Sequence, residues 1–333
     1  MKKTILILII VGLFISGASF FYLKKKWEAP GCQYQELITQ VKISPNTPLN
    51  KIIQILTQHK IIQHPLLFKL GAMLFGQNQT LKAGLYNLSP CWSYKKIFEI
   101  LSQGKELLQP VCIPEGLPWW KVAQIYSRHG LISKAKFYQA FTDPNLLHKF
   151  HIPAKNAEGY LFPSTYFFSQ TKKYSGYEIV SLMLKTFQQE TKKLFESYSP
   201  QKIHRFVILA SIIEKETSLK KEKPIIAGVF INRLHKHMLL QSDPTVIYGL
   251  GEKFNGNLTK KDLKNSNNIY NTYTHKGLPP GPICSPGLDS LKAAVFPQKN
   301  NYLYFVSKGN GSHYFSKTLK DHLKAVRKYQ LKK

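Results

Sequence analysis

Two glutamates lie two positions apart in an otherwise apolar stretch, LASIIEKETSL (209–219). On a helix predicted over 205–220, Glu214 and Glu216 point in different directions, and the more apolar face belongs to Glu216. That face also carries Leu209, Ile212 and Ile213. Burial disfavours the charged form of a carboxyl group, so a buried glutamate can stay protonated near neutral pH. The pattern therefore favours Glu216 as a general acid that protonates a leaving oxygen, as cleavage of a glycosidic bond requires.

A purely structural interpretation of the same two residues stays open. The chain has only 18 acidic residues, which makes a glutamate in an apolar segment informative. Nevertheless, Glu216 lies four positions before Lys220 and could form an ordinary ion pair with it on a solvated helix face. Glu214 could be solvated, or it could hold a salt bridge or a hydrogen bond.

Further polar and aromatic side chains lie in or beside apolar or turn-rich segments. They are Asn232, Gln241, Asp243, Tyr248, Asn271 and Tyr273. Amides bind sugar hydroxyls and aromatic rings stack on sugar faces, so such a set suits a polysaccharide cleft. Each residue could instead cap a helix or stabilise a turn. Asp243, directly before Pro244, is the clearest case of that alternative.

Other chemistries are disfavoured by the spacing of their residues. His235 and His237 diverge on a helix, and no H-E-x-x-H pattern is present. The S-x-x-K pattern at 218–221 recurs at 93–96, so in this lysine-rich chain it carries little information. There is no G-x-S-x-G motif. We therefore expect no metal ion, no other cofactor and no nucleophilic serine.

Four cysteines are present, and their spacing matches no zinc or C-x-x-C pattern. They are Cys32, Cys91, Cys112 and Cys284. They could form two disulfides in an oxidising compartment or remain four buried thiols, and the sequence leaves both arrangements open.

The N-terminal segment predicts a membrane anchor. Thr4–Leu23 contains no charged residue and is long enough to cross a bilayer as one helix. A cleavable signal peptide is the alternative, but 17–19 (Gly-Ala-Ser) is a poor cleavage site and the apolar run continues beyond it. Lysines flank both ends, so charge does not fix the orientation. We expect an anchor at 4–23 and a short cytoplasmic tail at 1–3.

The chain is strongly basic, with 47 Lys and Arg against 18 Asp and Glu and a net charge of +29. Only four of the basic residues are Arg, the side chain that reads bases and phosphates best, so nucleic acid is disfavoured as a partner. Diffuse lysine suits an anionic lipid surface or wall polymer. A solvated, lysine-rich surface without a specific partner explains the charge equally well.

An internal repeat occupies the first part of the chain. ISPNTPLNKIIQIL (43–56) aligns without gaps with LSPCWSYKKIFEIL (88–101), and IPEGLPWWKVAQIY (113–126) matches more loosely. Each copy predicts a strand end, a turn and a helix, and the helix starts coincide at Pro48, Ser93 and Pro118. We expect small βα units on a shared sheet, a module that binds or positions rather than catalyses.

The rest of the chain predicts mainly helices with a few short strands. The expected helices are 176–197, 202–220, 224–237 and 290–296, with a basic helix at the C-terminus. A strand is expected at 302–307, and the four Pro and four Gly in 277–287 predict a shaped loop.

Several long motifs occur in one order along the chain. They are KAGLYNLSP (82–90), EGYLFPSTY (158–166), ASIIEKET (210–217), GVFINRL (228–234), LQSDPTVIYG (240–249), NTY (271–273), GLPPGPICSPG (277–287), SLKAAVFP (290–297) and YLYFV (302–306). Together they resemble the YceG-like, MltG-type family of membrane-anchored endolytic lytic transglycosylases of bacterial peptidoglycan. The resemblance covers nearly all of the chain after residue 23. One departure is the sequence Ile-Cys-Ser-Pro-Gly at 283–287, where the family often has Ile, a small residue, Asn, Pro and Gly.

The resemblance implies an α+β fold in three parts. These are a single N-terminal transmembrane helix, a LysM-like βα-repeat module at 33–130 and a C-terminal α+β catalytic domain at 155–333. It also implies a single-pass protein of the cell membrane whose catalytic portion lies on the periplasmic side. Peptidoglycan glycan strands are the implied partner, and association with peptidoglycan synthases is suggested.

The resemblance further implies one catalytic glutamate in an E-[ST] pair, which here is Glu216-Thr217. The expected reaction cleaves the β-1,4 bond between N-acetylmuramic acid and N-acetylglucosamine and leaves a 1,6-anhydro end, acting on nascent strands. Thr217 and the six polar and aromatic residues named above are the expected substrate contacts. A lysozyme-type hydrolase and a non-catalytic, membrane-anchored wall-binding protein remain the alternatives.

Overall fold

The computed structural model describes residues 2–32, 37–76 and 79–331. Within helix 2–28, side chains are described from residue 14 onwards. The chain divides into two compact units. Unit 1 contains 1–110 and 167–173, and unit 2 contains 111–166 and 174–333. Each unit combines helices with small two-stranded sheets, so the predicted mixed α+β class is confirmed.

In the part of unit 1 that the structure describes, four helices pack against one two-stranded antiparallel sheet. Its elements are α1 (Lys2–Glu28), β1 (Thr39–Ile43), α2 (Leu49–Gln58), α3 (Pro65–Phe75), β2 (Gly84–Leu88) and α4 (Tyr94–Gln103). Strands β1 and β2 are antiparallel, with Thr39 opposite Leu88 and Ile43 opposite Gly84. Val41 and Ile43 alternate with exposed neighbours, so one face of the sheet is buried in the core beneath the helices.

Two strands lie where the chain passes between the units. They are β3 (Gln109–Cys112) and β4 (Thr165–Phe168), which pair with each other. The three predicted strand–turn–helix copies are confirmed as β1–α2, β2–α4 and β3 followed by the next helix. The expected shared sheet is wrong for the third copy, because β3 takes β4 as its partner instead of β1 or β2.

Unit 2 is mainly helical and holds the candidate site. Its helices are α5 (Trp119–Arg128), α6 (Lys134–Phe141), α7 (Pro144–Lys149), α8 (Gly176–Phe195), α9 (Pro200–Glu216), α10 (Lys223–His235), α11 (Asp243–Leu250), α12 (Lys260–Leu263), α13 (Leu288–Val295) and α14 (Leu319–Tyr329). Its sheet pairs β5 (Tyr304–Ser307) with β6 (His313–Ser316) in antiparallel register. Every residue of α9 from 207 to 213 is buried, because helices α10, α11 and α13 pack around it.

Helix α9 ends earlier than the sequence predicts. The expected helix ran to Lys220, but Thr217 adopts an extended conformation (φ −150°, ψ 140°) and the last helical residue is Glu216. The proposed ion pair between Glu216 and Lys220 is therefore wrong, and Lys220 pairs with Asp289 instead at 2.9 Å. Glu216 projects from a helix terminus and not from the middle of a helical face.

The predicted anchor at 4–23 belongs to α1. In the described part of the chain, no helix is long and apolar enough to cross a membrane, so the structure gives the predicted span no support. The side chains of residues 2–13, on which much of that prediction depends, lie outside the described residues, as do residue 1 of the predicted tail and residue 33 at the predicted start of the module.

The cysteines follow neither of the two arrangements that the sequence left open. Cys32 and Cys91 form one disulfide within unit 1. Cys112 is an exposed thiol and Cys284 a buried one. The disulfide joins the segment after α1 to the turn between β2 and α4, beside a backbone bond from Gly31 N–H to the Cys91 carbonyl at 3.0 Å.

Candidate active site

Glu216 lines an open cleft of about 460 Å³ in unit 2. It reaches the cleft because α9 ends there and the extended Thr217 turns the chain away. The Thr217 side chain holds that turn: its Oγ1 accepts a hydrogen bond from Leu219 N–H at 3.1 Å and faces the Glu222 carboxylate at 3.5 Å. The buried segment 207–213 of α9 therefore leads to a carboxyl group at the end of the helix.

The environment of Glu216 raises the pKa of its carboxyl group to about 7. The main cause is desolvation, and the nearby Asp243 carboxylate adds to it. A hydrogen bond from Ser242 Oγ at 2.5 Å and the positive charge of Arg233 act in the opposite direction. Near neutral pH the group therefore exists in both protonation states, as a residue that first gives and then takes a proton requires.

The loop beside Glu216 is held by a network of hydroxyl groups. Ser242 precedes α11, but its side chain bonds to Glu216 and does not cap the helix. Its backbone N–H bonds to Thr272 Oγ1 at 3.0 Å, and Thr272 Oγ1 lies 2.8 Å from Thr245 Oγ1. Gln241 has a φ of +50°, in the left-handed region that favours glycine, and its backbone N–H bonds to the Thr272 carbonyl. These contacts fix a strained residue at the edge of the cleft.

Arg233 is a buried cation that joins three segments beside Glu216. Its Nε donates to the Leu303 carbonyl at 2.7 Å, and its Nη1 donates to the Leu240 carbonyl at 2.8 Å. Its guanidinium lies 5.3 Å from the centre of the Tyr304 ring. Arg233 therefore positions the cleft walls and supplies positive charge to the glutamate.

A second buried carboxylate holds a histidine in the same cleft. Glu222 accepts hydrogen bonds from both the backbone N–H and Nδ1 of His313, at 3.0 and 2.7 Å. The Phe305 ring meets the imidazole edge-to-face at 5.5 Å. His313 lines the cleft from strand β6, and the double contact with Glu222 fixes both its backbone and its ring.

Glu214 has a structural environment, unlike its neighbour two positions later. Its buried carboxylate pairs with Lys223 at 3.1 Å and accepts hydrogen bonds from Gly287 N–H and Ser290 Oγ at 3.0 and 2.6 Å. These partners lie on α10 and at the start of α13. Glu214 therefore joins α9 to two other helices and leaves little of its carboxylate for a substrate.

The proline-rich loop at 277–287 packs under α9. Residues 281–287 are buried. Ile283 N–H bonds to Ser211 Oγ at 3.0 Å, and the Ser285 carbonyl accepts from Gly116 N–H at 2.8 Å. The side-chain oxygen of Ser285, at the position where the family often has Asn, has no hydrogen-bond partner among the described residues. The backbone of this loop, and not the Ser285 hydroxyl, makes the contacts that support α9.

The structure brings together four of the eight predicted site residues. They are Glu216, Gln241, Asp243 and Tyr273, all of which line the cleft. The Tyr273 hydroxyl donates to Asp243 at 2.6 Å. Thr217 lies beside the cleft and holds the turn after α9, as described above.

The other three predicted residues make contacts elsewhere. The Asn232 amide donates to the Asn300 and Tyr302 carbonyls, each at 2.9 Å. The fully buried Asn271 amide donates to three carbonyls of residues 262, 263 and 265. The Tyr248 hydroxyl donates to buried Glu158 at 3.0 Å. A substrate contact for these three stays a prediction, while each has a clear packing role.

The sequence motifs did not single out Ser242, Arg233 or His313 as site residues. The first two stood inside quoted motifs, LQSDPTVIYG and GVFINRL, but only their contacts show that they face Glu216. His313 gave no local signal, because its role depends on pairing with a glutamate 91 positions earlier. Within the described residues, no group of three or more His, Cys, Asp or Glu side chains could hold a metal ion.

Comparison with known proteins finds similar chains. The profile described as the YceG-like family matches residues 41–328. A Bacillus subtilis (strain 168) protein named endolytic murein transglycosylase is 33% identical, and the match covers 95% of this chain and 91% of that protein. A Streptococcus pneumoniae (strain D39) protein of the same name is 29% identical over 85% of this chain and 56% of its own length. This chain thus spans little more than half of the pneumococcal relative.

A solved structure is similar as well. The 2.6 Å crystal structure of a putative yceG-like protein from Listeria monocytogenes has a TM-score of 0.59 and 34% sequence identity. The match covers 87% of this chain and 100% of that chain.

Proposed function

The chain belongs to the YceG-like family, and from that premise we propose that it is an endolytic lytic transglycosylase of peptidoglycan. The observation that carries the proposal is the Glu216 carboxyl, whose pKa is raised to about 7 where α9 opens into the cleft. A carboxyl group poised in this way can protonate a glycosidic oxygen and then act as a base at the same pH.

The proposed reaction breaks the β-1,4 bond between N-acetylmuramic acid and N-acetylglucosamine. Glu216 gives its proton to the glycosidic oxygen as the bond to C1 breaks. The carboxylate then takes the proton of the muramoyl 6-hydroxyl, whose oxygen bonds to C1 of the same sugar. No water is consumed, and the strand ends in a 1,6-anhydro sugar. An internal nucleophile needs no second carboxylate to activate water, and its effective concentration is high.

The cleft supplies the supporting groups that this reaction needs. Ser242 keeps the Glu216 carboxyl oriented towards the cleft, and Gln241 and Tyr273 lie where they can bind sugar hydroxyls. Arg233 lies near enough to stabilise the carboxylate form after the first proton transfer. We propose Glu216 as the catalytic residue and Gln241, Asp243 and Tyr273 as substrate contacts.

A lysozyme-type hydrolase is the second candidate, and one observation favours it. Asp243 is a second carboxylate in the same cleft, and two carboxylates are what most glycosidases use. In a hydrolase Asp243 would be the nucleophile or the base for water. In a lytic transglycosylase its carboxylate would contact the sugar, bind Tyr273 and raise the pKa of Glu216, but would not act as nucleophile or base.

Two variants and one product analysis separate these reactions. Purified glycan strands are digested with wild type, Glu216→Gln and Asp243→Asn, and the new ends are identified by mass spectrometry. We expect anhydro ends from wild type, reduced but persistent anhydro ends from Asp243→Asn, and no cleavage by folded Glu216→Gln. Reducing ends that disappear in Asp243→Asn would establish the hydrolase.

A non-catalytic wall-binding protein is the candidate from another class. It would release no product, and Glu216→Gln would bind sacculi as wild type does, with no glycan ends formed by either protein. Full activity of Glu216→Gln would also reject Glu216 as the catalytic group, whatever the enzyme class.

The remaining parts of the proposal concern location and partners. We propose that 4–23 anchors the chain in the cell membrane with unit 2 on the periplasmic side, acting on nascent strands beside peptidoglycan synthases. The βα copies of unit 1 support a LysM-like role in binding glycan. Extraction of membranes with alkaline carbonate tests the anchor, because an integral protein stays in the pellet.

A further inference from the structure

Helix α3 carries a second apolar face, on the side that points away from the core of unit 1. Phe68, Gly71 and Ala72 face the core of unit 1. The opposite side carries Leu66, Leu70, Met73 and Leu74, which we call the α3 face. Leu66 and Met73 are 78% and 66% exposed. These positions are spaced i, i+4, i+7 and i+8, so they form one continuous stripe.

The neighbouring helices of unit 1 show what an ordinary outward face looks like. On α2 the exposed positions include Lys51, Gln54 and Gln58, and on α4 they include Lys95 and Glu99. Each of these helices buries one apolar stripe and presents polar side chains to the outside. The α3 face therefore departs from the pattern within its own unit, and a contiguous exposed apolar patch of this kind marks an interaction surface.

Helix α1 is fastened firmly to α3. Trp27 near the end of α1 is 3% exposed, and its ring lies 5.6 Å from Phe68 and 6.2 Å from Phe75. A Cβ atom on Gly71 would lie 2.1 Å from the Trp27 ring, so only glycine allows this close approach. The Cys32–Cys91 disulfide holds the segment that follows α1. The end of α1 is thus packed directly against the core of unit 1.

The end of α3 meets the uncharged run of α1. Phe75, the last residue of α3, lies 5.4 Å from Phe20, which belongs to the run 4–23. Phe21 and Tyr22 beside it are exposed by 71% and 59%. Leu74 and Met73 lie one and two positions before Phe75, so they belong to the end of the α3 face that is nearer to the uncharged run. The contact between Phe75 and Phe20 therefore joins this end of α3 to the uncharged run.

Lysines lie beside both of these apolar segments. Lys24, Lys25 and Lys26 follow the uncharged run directly on α1, and all three side chains are exposed. Lys69 lies at the edge of the α3 face. Aliphatic side chains with aromatic and lysine residues at their border match the layers of a bilayer surface, where lysine meets anionic head groups.

We propose that the α3 face, together with Phe20, Phe21 and Tyr22, inserts into the surface of an anionic lipid bilayer. This inference rests on the membrane anchor proposed above and adds a second contact to it. The second contact fixes the orientation of unit 1 on the membrane, whereas an anchor alone would let it pivot. Met73 and Leu74, nearest the uncharged run, enter more deeply than Leu66 at the start of α3.

The test places a fluorescent label on single cysteines of the full chain. Cys112→Ser removes the exposed thiol, and bimane is attached after Met73→Cys, Leu66→Cys or the control Gln54→Cys on the polar face of α2. Phe14→Cys reports the anchor itself. The protein is reconstituted in vesicles of phosphatidylglycerol and phosphatidylethanolamine. Quenching by nitroxide-labelled lipid is compared with quenching by iodide in the buffer.

We expect lipid quenching at position 73 to be several-fold stronger than at 54, with position 66 in between, and iodide quenching in the reverse order. If position 14 is quenched by lipid while 66 and 73 are open to iodide, the anchor stands and the docking surface is rejected. If position 14 is not quenched by lipid either, the anchor is rejected as well. Protection from iodide without lipid quenching would mean that a protein covers the α3 face, which also overturns the proposal.

A paired variant checks that the surface is separate from the cleft. Leu70→Glu with Met73→Glu should abolish the lipid quenching of a label at position 66 and leave cleavage of purified glycan strands unchanged. Lipid quenching that survives both acidic substitutions would contradict insertion of this helix. Because the cleavage assay uses free strands, it fails only if the proposed activity fails, whatever the membrane contact does.

Discussion

Glu214 and Glu216 have the same side chain and different environments. The periodicity of 209–219 ranked Glu216 first as the residue on the apolar face of a continuing helix. In the structure the helix stops at Glu216, and the carboxyl faces a cleft because Thr217 turns the backbone. Glu214, by contrast, is held by an ion pair and two hydrogen bonds. Hydrogen-bond partners, and not burial alone, therefore decide which carboxyl group can transfer a proton.

The raised pKa of Glu216 predicts a pH-dependent change in stability. The pKa rises from its ordinary value of 4.5 to about 7 on folding, so the folded state binds the proton more tightly than the unfolded state. This contribution to stability is fully present below about pH 4.5 and is lost as the pH rises through about 7. We expect the free energy of unfolding of Glu216→Gln, relative to wild type, to increase by about 3 kcal/mol between about pH 4 and about pH 9.

Chemical unfolding of both proteins at the two pH values measures this difference. Glu99→Gln on the exposed face of α4 is the matched control for the loss of one carboxylate. A stability difference for Glu216→Gln that does not change between the two pH values would contradict the burial argument.

Substitution of Glu214 should lower stability, whereas substitution of Glu216 should raise it at high pH. Glu214→Gln leaves Lys223, which is 3% exposed, without its ion-pair partner at 3.1 Å. Removing one partner of a buried pair is costly, so we expect the free energy of unfolding to fall by about 3 kcal/mol. Glu115→Gln is the control, because Glu115 is half exposed and 4.0 Å from the same ammonium group, and it should cost less than about 1 kcal/mol. Equal effects of the two variants in urea unfolding would show that Glu214 does not hold α9 to α10.

The sequence predicted which helices and strands are present better than it predicted where they begin and end. The helix predicted at 176–197 is observed at 176–195, and the one at 224–237 at 223–235, because their apolar spacing fits a helix without interruption. The strand–turn–helix copies were equally clear. The pairing of β3 with β4 and of Glu222 with His313 could not be predicted, since both depend on contacts between residues far apart in the chain.

The loop that carries Gln241 and Ser242 depends on the packing of a second loop. Thr272 Oγ1 accepts a hydrogen bond from Ser242 N–H. The neighbouring Asn271 donates to three carbonyls and accepts from Tyr273 N–H at 2.9 Å. The sequence placed Asn271 in the cleft because an amide beside tyrosines resembles a sugar contact. In the structure the Asn271 amide donates to backbone carbonyls, so Asn271 affects the cleft only through the residues that it holds in place.

The Asn271→Ala variant therefore distinguishes a packing role of Asn271 from a direct contact with the sugar. We expect the free energy of unfolding to fall by about 2 kcal/mol or more, because buried carbonyl groups lose their donor, and cleavage to weaken as the loop at 240–242 shifts. Asn267→Ala, at an exposed turn nearby, is the control. If Asn271 is instead a direct sugar contact, activity on glycan strands will fall while thermal stability stays at the wild-type value.

The two compact units of the molecule do not coincide with the repeats in its sequence. The three βα copies are similar in sequence, yet the first two belong to unit 1 and the third to unit 2. Unit 1 also includes the separate segment 167–173, so neither unit is one continuous stretch of chain. The division falls inside the predicted module range 33–130, because compact units follow packing and not repeat boundaries.

The net charge of +29 predicts how the whole chain binds its substrate. Its 43 lysines attract anionic wall polymers without requiring specific contacts, so this part of the affinity should be screened by salt. The screening length falls from about 10 Å at 0.1 M to about 3 Å at 1 M, and we expect retention of the chain on isolated sacculi to decrease steeply over that range. Glu216→Gln is the form to use, since it should bind the strands without cutting them, and sacculi stripped of anionic polymer are the control. Retention that is unchanged by salt and by stripping would show that specific glycan contacts dominate binding, and that the lysines form only a solvated surface.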